Sequence, residues 1–200
     1  MDVVPELHNV GGVILDYLSQ LMMTRKYAID LLAYVFNFII PSDQMSRLPI
    51  ATLASLVDQL VMWILTVQTR NFIGPVVFSV SRPQWQIEGA LALLFNMATL
   101  CPARQSAAVL IASRPGAIVT LVRWTEMFNL SIGELSLRVL RQLAQEPEVA
   151  QLLVVHKVAF YSIMGSLHRE HAGMMQHDVY RVRRLHRLVR ETLDAIETCE

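Results

Sequence analysis

The sequence predicts an all-α fold, arranged as an armadillo/HEAT-like helical-repeat solenoid. Apolar residues recur at steps of three and four along most of the chain, and no long stretch alternates with a period of two. Proline and glycine interrupt this pattern at intervals, and one helical segment returns 46 residues later. We therefore expect about three repeats in a single domain over residues 1–200, ended by a long C-terminal capping helix.

The interruptions indicate where each helix begins and ends. Pro49 and Pro147 stand at first-turn positions, where the missing N–H costs nothing. Residues 114–116 form a turn, and an inserted loop is expected over residues 69–83. The pattern predicts helices over residues 28–39, 49–67, 84–97, 107–112, 117–128, 136–144, 149–155, 158–168 and 178–197.

Residues 90–98 and 136–144 are the two clearest copies of the repeated segment, because their apolar positions coincide when they are aligned. Each copy is followed by a break, a short apolar helix and a longer helix, which is the order of an armadillo unit. One such unit has apolar residues on several sides, so neighbouring units must cover them. An earlier copy begins at Ala28, and the inserted loop accounts for its greater distance from the second copy.

Composition excludes several classes of protein. Apolar residues are 54% and charged residues 17% of the chain, which excludes a disordered tail and indicates that part of the surface is normally covered. Basic and acidic side chains number 17 each, so the chain as a whole is not a nucleic-acid-binding surface. Cys101 and Cys199 form no CxxC pair, which argues against a disulfide scaffold or a cysteine zinc site and fits a reducing compartment.

A membrane-embedded helical protein is an alternative that the apolar composition raises. Mean hydropathy is +0.40, and the longest apolar candidate covers residues 48–67. Asp58 and Gln59 lie at its centre, where an Asp costs about 2.5–3.5 kcal/mol on insertion. We therefore predict no membrane association, whereas the alternative predicts a chain that needs detergent to stay in solution.

Catalytic patterns are missing from the sequence. It has no GxSxG nucleophile motif, no glycine-rich phosphate loop and no HExxH zinc motif. His168, His171 and His177 lack further ligands at zinc spacing, and Cys101 precedes a proline at a helix end rather than an activating helix N-terminus. We predict that the protein is not an enzyme and has no cofactor and no metal site.

The last helix carries a basic face that is a candidate partner-binding site. Val182, Leu185 and Val189 form an apolar stripe beside it. Arginine favours planar, bidentate recognition of carboxylates and phosphates. The face is either solvated or a docking site for an acidic helix, an acidic nucleosome surface or a phosphate. The candidate residues are Arg181, Arg183, Arg184, Arg187 and Arg190.

Trp124 is a further candidate for partner binding. An aromatic side chain on the inner groove of a solenoid is a common anchor for a partner. The alternative is that Trp124 is buried in the core.

Several segments resemble one family in their order and spacing. A Leu-Pro helix that ends in tryptophan covers residues 48–63, a second helix covers 84–97, and a Leu-rich basic helix follows Asp178. Between them stand Leu143-Ala144-Gln145, Ala150, Val155, Lys157, Gly165 and Leu167. Over residues 27–193, these features resemble the C-terminal helical-repeat domain of the Osa/Eyelid-type, ARID-containing large subunit of SWI/SNF (BAF) chromatin remodellers.

The resemblance implies a non-catalytic scaffold subunit in the nucleus, which supports nucleosome remodelling and transcription regulation. Its partners would be other SWI/SNF subunits, notably a helical segment of the ATPase subunit, with the nucleosome nearby. The sequence carries no ARID pattern, so no direct sequence-specific DNA binding is expected. The alternative function is an armadillo-type adaptor outside chromatin, which binds a peptide or a helix in transport or signalling.

Overall fold

The structure is a computed structural model, and it describes residues 50–71, 84–100, 104–126, 131–171 and 176–199. Within these ranges the chain forms eight α-helices and one short 3₁₀ turn, with no β-strand. The prediction of an all-α fold is therefore confirmed for the described residues.

The helices follow the predicted order. They are α1 (Ile50–Asn71), α2 (Gln84–Leu100), α3 (Arg104–Ala112), α4 (Ala117–Thr125), α5 (Ser131–Leu143), α6 (Pro147–Leu153), α7 (Lys157–His171) and α8 (Gln176–Glu197). The 3₁₀ turn Val154–His156 joins α6 directly to α7. The helix predicted over residues 28–39 lies outside the described residues.

The ends of most helices differ from the prediction by a few residues; for example, α3 begins three residues early, and α5 begins five residues early, at Ser131. Two of the differences concern where α1 and α4 end. Helix α1 continues to Asn71, so the expected loop over residues 69–83 was wrong at its first three positions, because no glycine or proline stops the helix there. The rest of that loop lies outside the described residues. Helix α4 ends at Thr125, three residues early, because the N–H of Glu126 bonds to the carbonyl of Arg123 and tightens the last turn.

Proline and glycine act where the sequence places them. Pro147 occupies the first turn of α6, and the carbonyl of Glu146 accepts bonds from the N–H groups of Val149 and Ala150. Gly116 has a φ of 80°, a left-handed conformation that favours glycine. A Cβ at this position would lie 3.2 Å from Cδ2 of Leu65, so the turn before α4 packs closely against α1.

Helix α5 lies at the centre of the described fold. It packs most extensively against α2, then against α4 and α8, and it also contacts α3. No residue from Ser131 to Ala144 is exposed, and the side chains of Leu137, Leu140 and Leu143 are fully buried. Charged side chains on a helix enclosed in this way need partners, because burial of an unpaired charge is costly.

The repeated segments share their burial as well as their sequence pattern. Residues 90–98 of α2 and residues 136–144, which end just after α5, agree in burial at every aligned position except the pair Asn96 and Gln142. Leu91 and Leu137, which occupy the same position of the repeat, are both fully buried in one hydrophobic core. This agreement is what a repeated unit requires, whereas the armadillo solenoid stays a prediction.

One apolar helical run of the described chain is long enough to cross a membrane. It covers Pro147–Arg169, and 28% of its most apolar window is buried. It is not the segment 48–67 that the sequence singled out. Its exposed apolar side chains are Leu152, Val155, Val158 and Tyr161. A soluble core helix passes the same test of length and composition, so the absence of membrane association stays a prediction.

We expect two adjacent leucines of α6 to differ in their effect on stability. Leu153 is fully buried, and Leu152 is 53% exposed. Leu153→Ala should lower the free energy of unfolding by about 2–5 kcal/mol, because it removes core contacts and leaves a cavity. Leu152→Ala, the matched control, should lower it by less than about 1 kcal/mol. Urea unfolding of the full chain measures both values, and equal losses would contradict this packing.

Candidate functional site

Helix α8 is oriented by an apolar stripe that faces the core. Val182, Leu185 and Val189 are buried, as the sequence pattern predicts, and the helix packs against α7, α5 and α6. Because the helical period is 3.6 residues, burial of this stripe turns the opposite side of α8 to solvent. The arginines on that side are therefore displayed by a helix whose orientation the core determines.

Glu134 of α5 joins α5 to α8. Its carboxylate is largely buried and accepts a hydrogen bond from Nη2 of Arg138 at 2.7 Å, one helical turn away. The second carboxylate oxygen accepts a hydrogen bond from Nη2 of Arg184 on α8 at 2.5 Å. One buried carboxylate thus holds two guanidinium groups, and charge-assisted bonds of this kind are among the stronger ones in proteins.

Glu191 of α8 makes the reciprocal connection. One carboxylate oxygen pairs with Nε of Arg141 on α5, and the other lies 3.9 Å from Nε of Arg187 on α8 itself. In this interface, two carboxylates therefore stand between four arginines. The contact between α5 and α8 is held in register by charge, yet it keeps an excess of positive charge.

Two further arginines of α8 increase this excess. Arg183 and Arg190 are exposed and form no ion pair with any described residue. Arg181 is half-buried. We call Arg181, Arg183, Arg184, Arg187 and Arg190 the basic surface. All five arginines that were predicted from the sequence as candidates lie on α8.

Four of these arginines line an open hollow at the N-terminal half of α8. The hollow has a volume of about 610 Å³, and the described residues that line it are Tyr180, Arg181, Arg183, Arg184 and Arg187. None of these described residues is acidic. Tyr180 is 83% exposed, so an aromatic ring with a polar tip adjoins the basic surface.

Trp124 is not part of the basic surface. It belongs to α4 and is only 4% exposed, in the hydrophobic core. Trp124 is therefore buried in the core, as the alternative interpretation predicted. A partner could reach the indole only if the core opened.

Two carboxylates outside α8 are engaged by other side chains. Asp58 pairs with Arg114, and Glu88 accepts a hydrogen bond from Ser131. Glu134 was not predicted as a partner of the basic surface, although its spacing of four from Arg138 is a recognisable helical ion-pair signal. The bond from Glu134 to Arg184 bridges residues 50 positions apart, so only the tertiary packing reveals it.

Among the described residues, no group of three histidine, cysteine, aspartate or glutamate side chains could hold a metal ion. His168 is exposed on α7, and Cys101 lies outside the described residues. The predictions of no metal, no cofactor and no catalysis stay predictions.

Comparison with known proteins gives no match to a protein-family model, to a curated protein or to a solved structure. A function for this chain is therefore inferred from its own residues.

We expect Glu134 and Arg184 to be energetically coupled. A double-mutant cycle of Glu134→Gln and Arg184→Gln should give a coupling energy of about 1 kcal/mol, because the carboxylate is largely buried while the guanidinium is half exposed. Urea unfolding of the four proteins provides the values.

Arg183 supplies the matched control for this cycle. It neighbours Arg184 but makes no contact with Glu134. A cycle of Glu134→Gln and Arg183→Gln should give a coupling energy near zero. If the two cycles give the same coupling energy, the bridge from α5 to α8 is not the specific contact described above.

Proposed function

We propose that this chain is a non-catalytic interaction subunit that holds an acidic partner protein on the basic surface of α8. The observation that carries this proposal is the excess of exposed arginine on one helix. Arg183 and Arg190 have no acidic partner among the described residues, and Arg184 and Arg187 share theirs with α5. Guanidinium groups bind carboxylates in a planar, bidentate geometry, so an acidic partner fits this surface.

Rigidity of the supporting helix favours such a role. The buried stripe of Val182, Leu185 and Val189 anchors the backbone of α8, and Glu134 and Glu191 restrain two of the arginines. A surface that is already ordered loses little conformational freedom when a partner binds. Binding energy is then available for the contacts themselves.

The proposed setting is a SWI/SNF-type chromatin-remodelling complex in the nucleus. The order of motifs over residues 27–193 supports it, together with the matched burial of the two repeated segments, which agrees with an armadillo-like repeat. In that setting the chain is a scaffold that supports nucleosome remodelling and transcription. Its partners are other subunits of the complex, notably a helical segment of the ATPase subunit.

Affinity capture from nuclear extract tests the proposal. The tagged full chain is compared with the double variant Arg183→Glu/Arg190→Glu, whose changed residues form no described ion pair. We expect the variant to lose about tenfold or more of the remodeller subunits captured, since reversal of two charges replaces attraction by repulsion. Helical content, measured by circular dichroism, should be unchanged.

Arg123→Glu is the matched control for charge reversal. Arg123 is exposed on α4 and makes no ion pair with a described residue. This variant should capture the same subunits as the unmodified chain. Full capture by the double variant would contradict the role of the basic surface. Loss of transport or signalling proteins in place of remodeller subunits would support the adaptor alternative.

A further inference from the structure

The outward stripe of α8 changes sign along its length. Tyr180 is followed on this stripe by a basic part and then by an acidic part, at alternating steps of three and four residues. All six side chains are exposed: Tyr180, Arg183, Arg187, Arg190, Asp194 and Glu197. Steps that average 3.5 residues keep such a stripe nearly parallel to the helix axis, as in a coiled coil.

From this stripe we infer that the partner is a helix that lies along α8 and carries two blocks of charge. Its acidic block faces Arg183, Arg187 and Arg190, and its basic block faces the stripe from Asp194 onward. The inference rests on the proposed function of this same surface and specifies the chemistry of the partner.

The spacing of the stripe suits a helical partner. A second helix presents its side chains at the same steps of three and four, so carboxylates one turn apart meet successive arginines. From Arg183 to Glu197 the stripe rises by about 21 Å at 1.5 Å per residue. About four turns of a partner helix therefore span it.

Tyr180 gives the stripe an apolar end. Its ring is 83% exposed beside the hollow of arginines. Aromatic side chains commonly anchor interfaces, because the ring buries a large area while the hydroxyl keeps a hydrogen-bond partner. An apolar residue of the partner helix, placed one turn before its acidic block, fits this position.

A continuous polyanion fits the stripe poorly. Double-stranded DNA carries one negative charge per about 1.7 Å, so a duplex along α8 would place phosphates against Asp194 as well as against the arginines. Arg190 and Asp194 are about 6 Å apart along the axis, which is within the Debye length of about 8 Å at physiological ionic strength. Repulsion at the acidic end therefore opposes a partner of a single charge sign.

Asp194 is the acidic residue best placed to select the partner. Glu197 accepts a hydrogen bond from the hydroxyl of Tyr161 and lies 3.7 Å from Nζ of Lys157, so its charge is partly compensated. Asp194 is exposed, and its carboxylate has no ion pair with a described residue. The test therefore uses Asp194.

Helical peptides of defined charge order test the inference. A block peptide carries glutamates at steps of three and four in one half and lysines in the other. An isomer of the same composition alternates glutamate with lysine, and a third peptide carries glutamate only. Fluorescence anisotropy measures their binding to the full chain. We expect the block peptide to bind at least about fivefold more tightly than either of the others, because only it complements both parts of the stripe.

Charge reversal at Asp194 provides the second readout. Asp194→Lys should weaken binding of the block peptide several-fold and strengthen binding of the all-glutamate peptide. Arg123→Glu, on α4, should change neither affinity. Both shifts should diminish as the salt concentration rises, because the charges are exposed.

Equal binding of the block peptide and its alternating isomer would overturn the inference. Binding of the all-glutamate peptide or of a DNA duplex more tightly than the block peptide would also overturn it. A different result would contradict the proposed function: capture of the same amount of partner proteins from nuclear extract by the Arg183→Glu/Arg190→Glu variant as by the unmodified chain. The two experiments therefore distinguish a wrong partner chemistry from a wrong site.

Discussion

The ion bridges between α5 and α8 determine how the described fold presents its charge. Helix α5 is enclosed by α2, α3, α4 and α8, yet it carries Glu134, Arg138 and Arg141. Charged groups that are withdrawn from water need partners, or their desolvation cost is not compensated. Helix α8 supplies those partners in Arg184 and Glu191. These ion bridges thus favour the position of α8, which the burial of its apolar stripe orients.

This position connects the core to the surface. Apolar burial selects the face of α8 that turns inward, and the ion bridges hold it in register with α5. These bridges involve four arginines and two carboxylates, so the contact between α5 and α8 keeps an excess of positive charge. The interaction that stabilises the last helix therefore also leaves a basic surface on it.

Local chemistry was sufficient to predict most helices and the residues of the candidate site. Pro147 and Gly116 act on the backbone next to them, so their effects can be read from sequence. The inward stripe of α8 follows from periodicity alone. The bridge from Glu134 to Arg184 depends on which helices are neighbours, and the burial of Trp124 depends on how α4 packs against other helices, so neither follows from local pattern. The change of sign at Asp194 could have been found from its spacing.

Arginine footprinting of the captured assembly tests most directly whether α8 is the binding surface. The tagged chain, alone and with the proteins that it captures from nuclear extract, is treated with phenylglyoxal, and modified arginines are quantified by mass spectrometry. We expect Arg183 and Arg190 to become several-fold less reactive toward phenylglyoxal in the assembly, because partner carboxylates engage them. Arg123 should react equally in both samples. If Arg183 and Arg190 keep the same reactivity while other arginines become protected, α8 is not the binding surface.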